Sequence, residues 1–408
     1  MKALVLTAAR SKKLSPYSDT RPKSMIPIAG EFILETILKQ LQKAGVQEVW
    51  IVVNHQRQVI QDYFHYGKQF GLKLDYIVQA EARGIGHAVS LCEEVIGDEE
   101  NFLLVYGDAL MSGNPFVSLL ERFETTTPQA LATISHPASE GRYGNIYLSH
   151  DMKISKLIEK PEKSRLSNYI FGGSFILNRN CFDFLNQHEQ DILAYFQHLI
   201  SENQLDASVW EDDWIDISRP WHILGATQMM MRSWTTTVIP KSVHIEPNVT
   251  IKGPVRFGEN VHIGSGTTIV GPCSIGADVY IGDNCLIRAN VAIGANSEIG
   301  YGTEIKNSIL FGKTIVGRLS FIGDSVLGEH VQFGSGTLTV NYDTLGREIY
   351  FHSEGEEPVK TYQPKLGAFI GDHSIIGTGH TIAPGTKIPS STRIGDRITI
   401  SDDTIKSL

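Results

Sequence analysis

The 408-residue sequence has little cysteine, no surplus of positive charge and no long apolar run. Its four cysteines, Cys92, Cys181, Cys273 and Cys285, lack metal-ligand spacing and read as small buried hydrophobes in a reducing compartment. With 36 Lys and Arg against 45 Asp and Glu, the net charge is -9, which argues against a non-specific nucleic-acid binder, since that needs a basic surface. No apolar span reaches membrane length, and M-K-A-L-V-L-T-A-A-R is too short an apolar run for a secretory leader, so a cytoplasmic location is expected. One further absence is local. The stretch V-L-T-A-A-R-S-K-K-L-S-P at 5–16 has the outline of a phosphate-cradling loop and contains no glycine.

A hydrophobic content of 41 % and a charged content of 20 % describe an ordinary soluble chain, long enough for two or more domains with a core in each. Before residue 235, short apolar runs at 2–6, 49–53 and 102–106 alternate with helical patterns such as 32–43. That alternation predicts βαβ units around a mostly parallel, Rossmann-like sheet. After residue 235 the helical patterns stop.

A repeat takes their place. Apolar residues fall at every sixth position from Ile239 through Ile251, Ile263, Ile275, Ile287 and Ile299 to Phe311. The period slips by four, resumes at Phe321, Leu327 and Phe333, breaks over 341–365, and runs again from Ile370 to Ile400. A hexapeptide period builds a parallel β-helix in which each unit forms one side of a triangular coil with its aliphatic residue inward. The expected domains are therefore 1–234, an α/β unit, and 235–408, a left-handed β-helix with an excursion at 341–365. The excursion carries alternating segments, I-Y-F-H-S and V-K-T-Y, and reads as a hairpin or arm. Prisms of this kind commonly pack about a threefold axis, so a homotrimer is expected by fold-level analogy, with the arm placed to close a neighbour's site.

The first half also carries R-P-K-S-M-I-P at 21–27, V-Y-G-D-A-L at 105–110, I-E-K-P at 158–161 and W-I-D-I-S-R-P-W at 214–221. Singly each is weak, because a Gly-Asp after a strand is usually a turn and a Lys-Pro pair is usually a solvated loop. In combination and order they resemble the sugar-1-phosphate nucleotidylyltransferases. With the repeat behind them, essentially the whole chain resembles the bifunctional N-acetylglucosamine-1-phosphate uridylyltransferase/glucosamine-1-phosphate acetyltransferase family.

The resemblance implies attack by a sugar-1-phosphate oxygen on the α-phosphorus of a nucleoside triphosphate, with release of pyrophosphate. Two anions must meet, so charge neutralisation and in-line placement carry the catalysis. It implies Mg²⁺ on Asp108 and Asp216, at the carboxyl ends of strands. Lys13, Lys23 and Lys160 would be catalytic, Lys23 at the α-phosphate and Lys160 at the sugar phosphate. Ala8, Ala9, Arg10, Ser11, Gln79 and Gly84 would contact the nucleotide, and Tyr143, Gly144, Glu159 and Gly172, with Phe171 and Gly173 beside them, the sugar. Glu211, Asp212 and Asp213 read as a solvated acidic turn. In the repeat domain, Arg318, Phe321, Asn341, Tyr342, Thr378 and Ala383 match acyltransferase positions, with acetyl-CoA as a possible cosubstrate.

Four departures stand out. The family loop is Ala-Ala-Gly-x-Gly-(Ser/Thr)-Arg-(Leu/Met)-x-Pro, and this chain places Ala9 and Ser11 at its glycines, Lys12 at its hydroxyl residue and Lys13 at its arginine. Side chains there would cost about 1–3 kcal/mol if the backbone needs glycine angles, or would block the triphosphate. Gly84-Ile85-Gly86 replaces a Gly-Thr-Ala-like segment and removes a hydroxyl. Arg318 stands where the acetyltransferases carry a histidine base, and guanidinium has no lone pair to take a proton. Phe321 lacks the family's tyrosine hydroxyl, and His380 is the nearest alternative base. These features leave three readings: a nucleotidylyltransferase, a weakened regulatory or sugar-nucleotide-sensing homologue, and a CoA-dependent sugar N-acyltransferase.

Overall fold

The computed structural model describes residues 1–9, 11–54, 56–136, 143–158, 169–352 and 357–396. The chain divides into two compact units, one of Met1–Arg10, Pro22–Met25 and Ile33–Asp216, the other of Ser11–Arg21, Ile26–Phe32 and Ile217–Leu408.

The first unit is built on a seven-stranded sheet. Its order is Leu205–Trp210, Ala130–Ser135, Ile170–Asn178, Asn101–Tyr106, Ala3–Leu6, Glu48–Val53, Lys73–Val78. The pairings are parallel except at Ile170–Asn178, which runs antiparallel to both neighbours. Central strands such as Ala3–Leu6 are continuous apolar runs because helices cover both faces. The amphipathic helix Ile33–Lys43 shows the expected spacing, burying Ile33, Leu34, Ile37, Leu38 and Leu41.

Two local devices shape the sheet's carboxyl edge. The register between Ile170–Asn178 and Ala130–Ser135 shifts between Phe171 and Phe175, a bulge at Gly172-Gly173, where Gly173 has φ +93. Beyond Asn101–Tyr106 the chain turns through Gly107 and Asp108 into Ala109–Met111, which pairs antiparallel with Trp214–Asp216.

The second unit is a left-handed parallel β-helix of three sheets with eight, seven and seven strands. Each strand pairs in parallel with the equivalent strand one coil on, Ile263 with Ile281 and Ile281 with Ile299. The corners are turned by residues at positive φ, notably Asn248, Asn260, Asn284, Asn290 and Asn296, the non-glycine type best suited to it. The inward stack runs from Phe257 to Ile394.

The expected phase needs correcting in the middle of this stack. The inward residues after Ile305 are Leu310, Val316 and Ile322, paired with Ile293, Ile299 and Ile305. The unit between Ile305 and Leu310 is one residue short, so Phe311 leaves the stack for the ring of Tyr17, with centroids 4.9 Å apart, and Phe321 is only half-buried. At the other end the first rungs bury little, with Ile239 and Ile245 exposed.

The excursion at 341–365 does contain a hairpin, Tyr350–Phe351 antiparallel to Val359–Lys360. It folds back on its own unit: Phe351 is buried between the rings of Trp221 and Phe369. Segment Ser11–Arg21 also belongs to this unit. The Tyr17 hydroxyl donates to the Val326 carbonyl at 2.6 Å, and Arg21 and Thr20 both donate to Asp372. All four cysteines are free and buried. No helix among the described residues is long and apolar enough to cross a membrane.

Candidate active site

Three charged side chains converge at the carboxyl edge of the first unit. Lys23, on the short turn Lys23–Met25, is 7 % exposed. Its ammonium donates to Asp108 Oδ2 at 3.0 Å and to Asp216 Oδ1 at 2.9 Å. The fold brings the two aspartates together: Asp216 pairs with Ala109, the residue after Asp108. Burial alone would depress the Lys23 pKa, but the two carboxylates outweigh it and hold the pKa above the usual lysine value.

The carboxylates open onto a cavity of about 740 Å³, within the range of a small-molecule site. Gly84, Tyr143, Gly144, Phe171 and Gly173 line it. A smaller adjoining cavity of about 280 Å³ is lined by Ala8, Ala9, Gln79, Gly84, Ile85 and Asp108. Ala8 and Ala9 thus share one wall with the segment from Gln79 to Ile85.

Gln79 does not project freely there. It is buried, and its amide donates to the Gly84 carbonyl at 3.0 Å and meets His87 Nδ1 at 3.1 Å, so it fixes the loop that forms the wall. Gly84 has φ +102, a conformation that favours glycine, at the start of helix Ile85–Ser90. Ile85 is 38 % exposed and lines both cavities. Gly172 is structural: its carbonyl accepts the Trp214 indole N–H at 2.9 Å, and a Cβ would lie 3.0 Å from Thr133.

The strain expected at the glycine-free loop is not there. Ser11 has φ -120 and ψ 80, and Ala9 is not among the positive-φ residues, so neither adopts the left-handed backbone that glycine serves. Ala9 is exposed, and Lys12 and Lys13 stand exposed on the turn Lys12–Leu14. Arg10, Glu159 and Lys160 lie outside the described residues. Glu211 and Asp212 are exposed and Asp213 half-buried, as expected of an acidic turn.

Sequence reasoning missed Gly86 and its partner. A Cβ on Gly86 would lie 1.8 Å from the Gln190 carbonyl, so the turn at 189–191 seats directly on this backbone and supplies a cavity wall. The second glycine of Gly84-Ile85-Gly86 was the available signal. Tyr106 and Trp214 also stand on the cavity wall, inside the motifs at 105–110 and 214–221, although neither motif points to them by itself.

In the β-helix, Asn341 is buried and donates to Asp324 Oδ2 at 2.5 Å, a carboxylate that also accepts from Asn307 at 2.6 Å and lies 3.4 Å from the Lys306 ammonium. Arg318 and Tyr342 are exposed, and Thr378 is held by Asp396 through both its N–H and its hydroxyl. Ala383 is half-buried, its carbonyl accepting from Thr386. His380 proves unsuited to replace a base: it is fully buried, with Nε2 against the Gly395 carbonyl, because it occupies an inner corner of the coil.

A family model described as nucleotidyl transferase matches residues 2–232, and one described as the GMPPB C-terminal domain matches 269–355. A bifunctional protein GlmU of Methanococcus maripaludis (strain C7) is 39 % identical over 99 % of this chain and 95 % of its own. A bifunctional sugar-1-phosphate nucleotidylyltransferase/acetyltransferase of Sulfurisphaera tokodaii is 30 % identical over 97 % and 96 %. Among solved structures, a putative glucose-1-phosphate thymidylyltransferase from Bacillus anthracis superposes with a TM-score of 0.52 at 19 % identity, over 56 % of this chain and 94 % of the other, a likeness of fold. The chain belongs to the nucleotidyl transferase family. It is an enzyme of that family carrying a left-handed β-helix behind its nucleotidyltransferase fold.

Proposed function

We propose that this enzyme transfers a nucleotidyl group from a nucleoside triphosphate to a sugar 1-phosphate, releasing pyrophosphate, in the synthesis of UDP-N-acetylglucosamine or a related sugar nucleotide. The observation that carries this reading is the sharing of one buried ammonium by Asp108 and Asp216 at the mouth of the cavity. Because one nitrogen reaches both carboxylates, the pair fits a single shared cation. Mg²⁺ held by Asp108 and Asp216 would neutralise and bridge phosphate oxygens.

The protein's own groups do the rest. Lys23, kept protonated by its neighbours, presents fixed positive charge where the α-phosphate gains charge during attack. The wall from Gln79 to His87 holds the nucleotide, and Tyr143, Phe171 and Gly173 border the space for the sugar. Lys160 binds the sugar phosphate in this reading. A homotrimer built through the β-helix is part of the proposal.

The test is pyrophosphate release from UTP, dTTP and other triphosphates with glucose 1-phosphate or N-acetylglucosamine 1-phosphate and Mg²⁺. Release for at least one pair, abolished by Asp108→Ala, is expected. No release above that control for any pair favours the sensing homologue.

CoA-dependent acyl transfer is the second reading, supported by the bifunctional names of the relatives and by Asn341, fixed on Asp324 at the edge of the coil. Against it stand Arg318, which cannot act as a base, and the buried His380. Free CoA released from acetyl-CoA with glucosamine 1-phosphate would support it.

A further inference from the structure

We infer that the first rungs of the β-helix carry a transition-metal site made by His244, Glu246 and His262. Strands His244–Ile245 and His262–Ile263 pair in parallel with His244 opposite His262. The two imidazoles stack one coil apart, their centroids separated by 4.9 Å at 22°. Glu246 Oε1 lies 3.0 Å from His244 Nε2 and 3.8 Å from His262 Nε2. One ligand atom from each residue falls within 4.8 Å of the other two. Among the described residues this is the one group of three possible ligands so gathered.

The donor set selects the ion. Two imidazole nitrogens and one carboxylate suit Zn²⁺, Ni²⁺, Co²⁺ or Cu²⁺, whereas Mg²⁺ and Ca²⁺ take oxygen ligands. Such ligand atoms bind at about 2.0–2.2 Å, and three protein ligands leave a fourth position for water. The backbone ladder fixes the spacing of the histidines, and Tyr280, next in the ladder, stacks on His262 at 5.3 Å and holds its ring. The buried thiols offer no competing exposed ligand.

The position gives such an ion a structural task. In the rung of His244, Ile245 is 39 % exposed, whereas in the rung of His262, Ile263 is fully buried. Terminal repeats of a solenoid lack a neighbour on one side, and an ion bridging these two coils would tie the weakly buried end to the well-packed stack.

The experiment uses the full chain, stripped with chelator and titrated with Zn²⁺ by calorimetry in buffer containing Mg²⁺, with unfolding temperature read in parallel. One Zn²⁺ per chain is expected, with a higher unfolding temperature. His262→Ala and Glu246→Gln should each weaken binding by about tenfold or more, and Tyr280→Phe should leave the stoichiometry intact. The ligands are all partly exposed, so these variants are expected to fold, and Co²⁺ substitution gives a second readout through its visible absorption. Absence of stoichiometric binding, or binding unchanged in both ligand variants, overturns the site and leaves an ordinary His–Glu surface contact, whatever the outcome of the pyrophosphate assay.

Discussion

The ammonium of Lys23 lies 2.9 Å from Oδ1 of Asp216, although 193 positions separate the two in the chain. The antiparallel pairing of Trp214–Asp216 with Ala109–Met111 makes this possible, since it sets Asp216 beside the turn that carries Asp108. The motif at 21–27 and the two aspartate motifs therefore form one electrostatic unit.

Removing the cation from that unit should cost activity more than binding. Lys23→Ala is expected to lower kcat by on the order of 10²–10³, the usual effect of losing a group that meets developing charge, with a smaller change in KM for the triphosphate. Lys23→Arg should not restore it, because the forked guanidinium does not occupy the space of a point charge. Steady-state pyrophosphate release checks both variants, and a fully active Lys23→Ala would detach this residue from the chemistry.

The wall beside the site makes a paired prediction. Gly86→Ala must displace the Gln190 carbonyl, so it should destabilise the protein by about 1–3 kcal/mol. Ile85→Thr, at an exposed position, should change stability by less than about 0.5 kcal/mol while altering KM for the triphosphate. Denaturant melts separate the two effects. A strongly destabilised Ile85→Thr would mean that Ile85 is there for packing.

The glycine-free loop leads to an expectation opposite to the one its sequence suggests. Ser11 adopts angles open to any residue, and Ala9 is not at positive φ, so restoring glycine relieves no strain there. Ala9→Gly with Ser11→Gly should instead lower stability by roughly 0.5–1 kcal/mol per site, through added freedom of the unfolded chain. Any gain in kcat would then reflect closer approach to phosphate. Chemical denaturation together with the pyrophosphate assay distinguishes the two effects.

The two halves differed in how much of them could be read from the sequence. Thirteen in-phase positions from Ile239 to Phe311 gave the β-helix because every coil repeats the same geometric demand. The phase failed from Leu310 to Ile322, because the units ending at Leu310 and at Leu327 are each a residue short and the adjacent apolar residues Phe311 and Phe321 disguise the slips. Single motifs located Asp108 and Asp216. The second glycine at Gly86 signalled a close approach but could not name Gln190 as the partner, a contact that exists only after the chain has folded. The corrected phase can be tested directly: Ile322→Ala should destabilise by about 2–5 kcal/mol and Phe321→Ala by clearly less, as measured by denaturant midpoint.

A final prediction concerns pH and the second unit. Glu329 lies 2.9 Å from Lys313 and 3.2 Å from Arg21. Partial burial alone would raise its pKa, but the hydrogen bond from Lys313 and the charges of Arg21, Lys313 and His330 prevail and hold it below the usual glutamate value. A carboxylate with a depressed folded-state pKa contributes stability above its unfolded pKa and loses it as pH falls through the folded one. Glu329→Gln should therefore cost about 0.5–1 kcal/mol near neutral pH, discounted for the 30 % exposure of the side chain. The gap between variant and parent should close as the solution is acidified below the ordinary glutamate range. Denaturation midpoints of both proteins across that range provide the check, and a gap independent of pH would assign the loss to packing instead of charge.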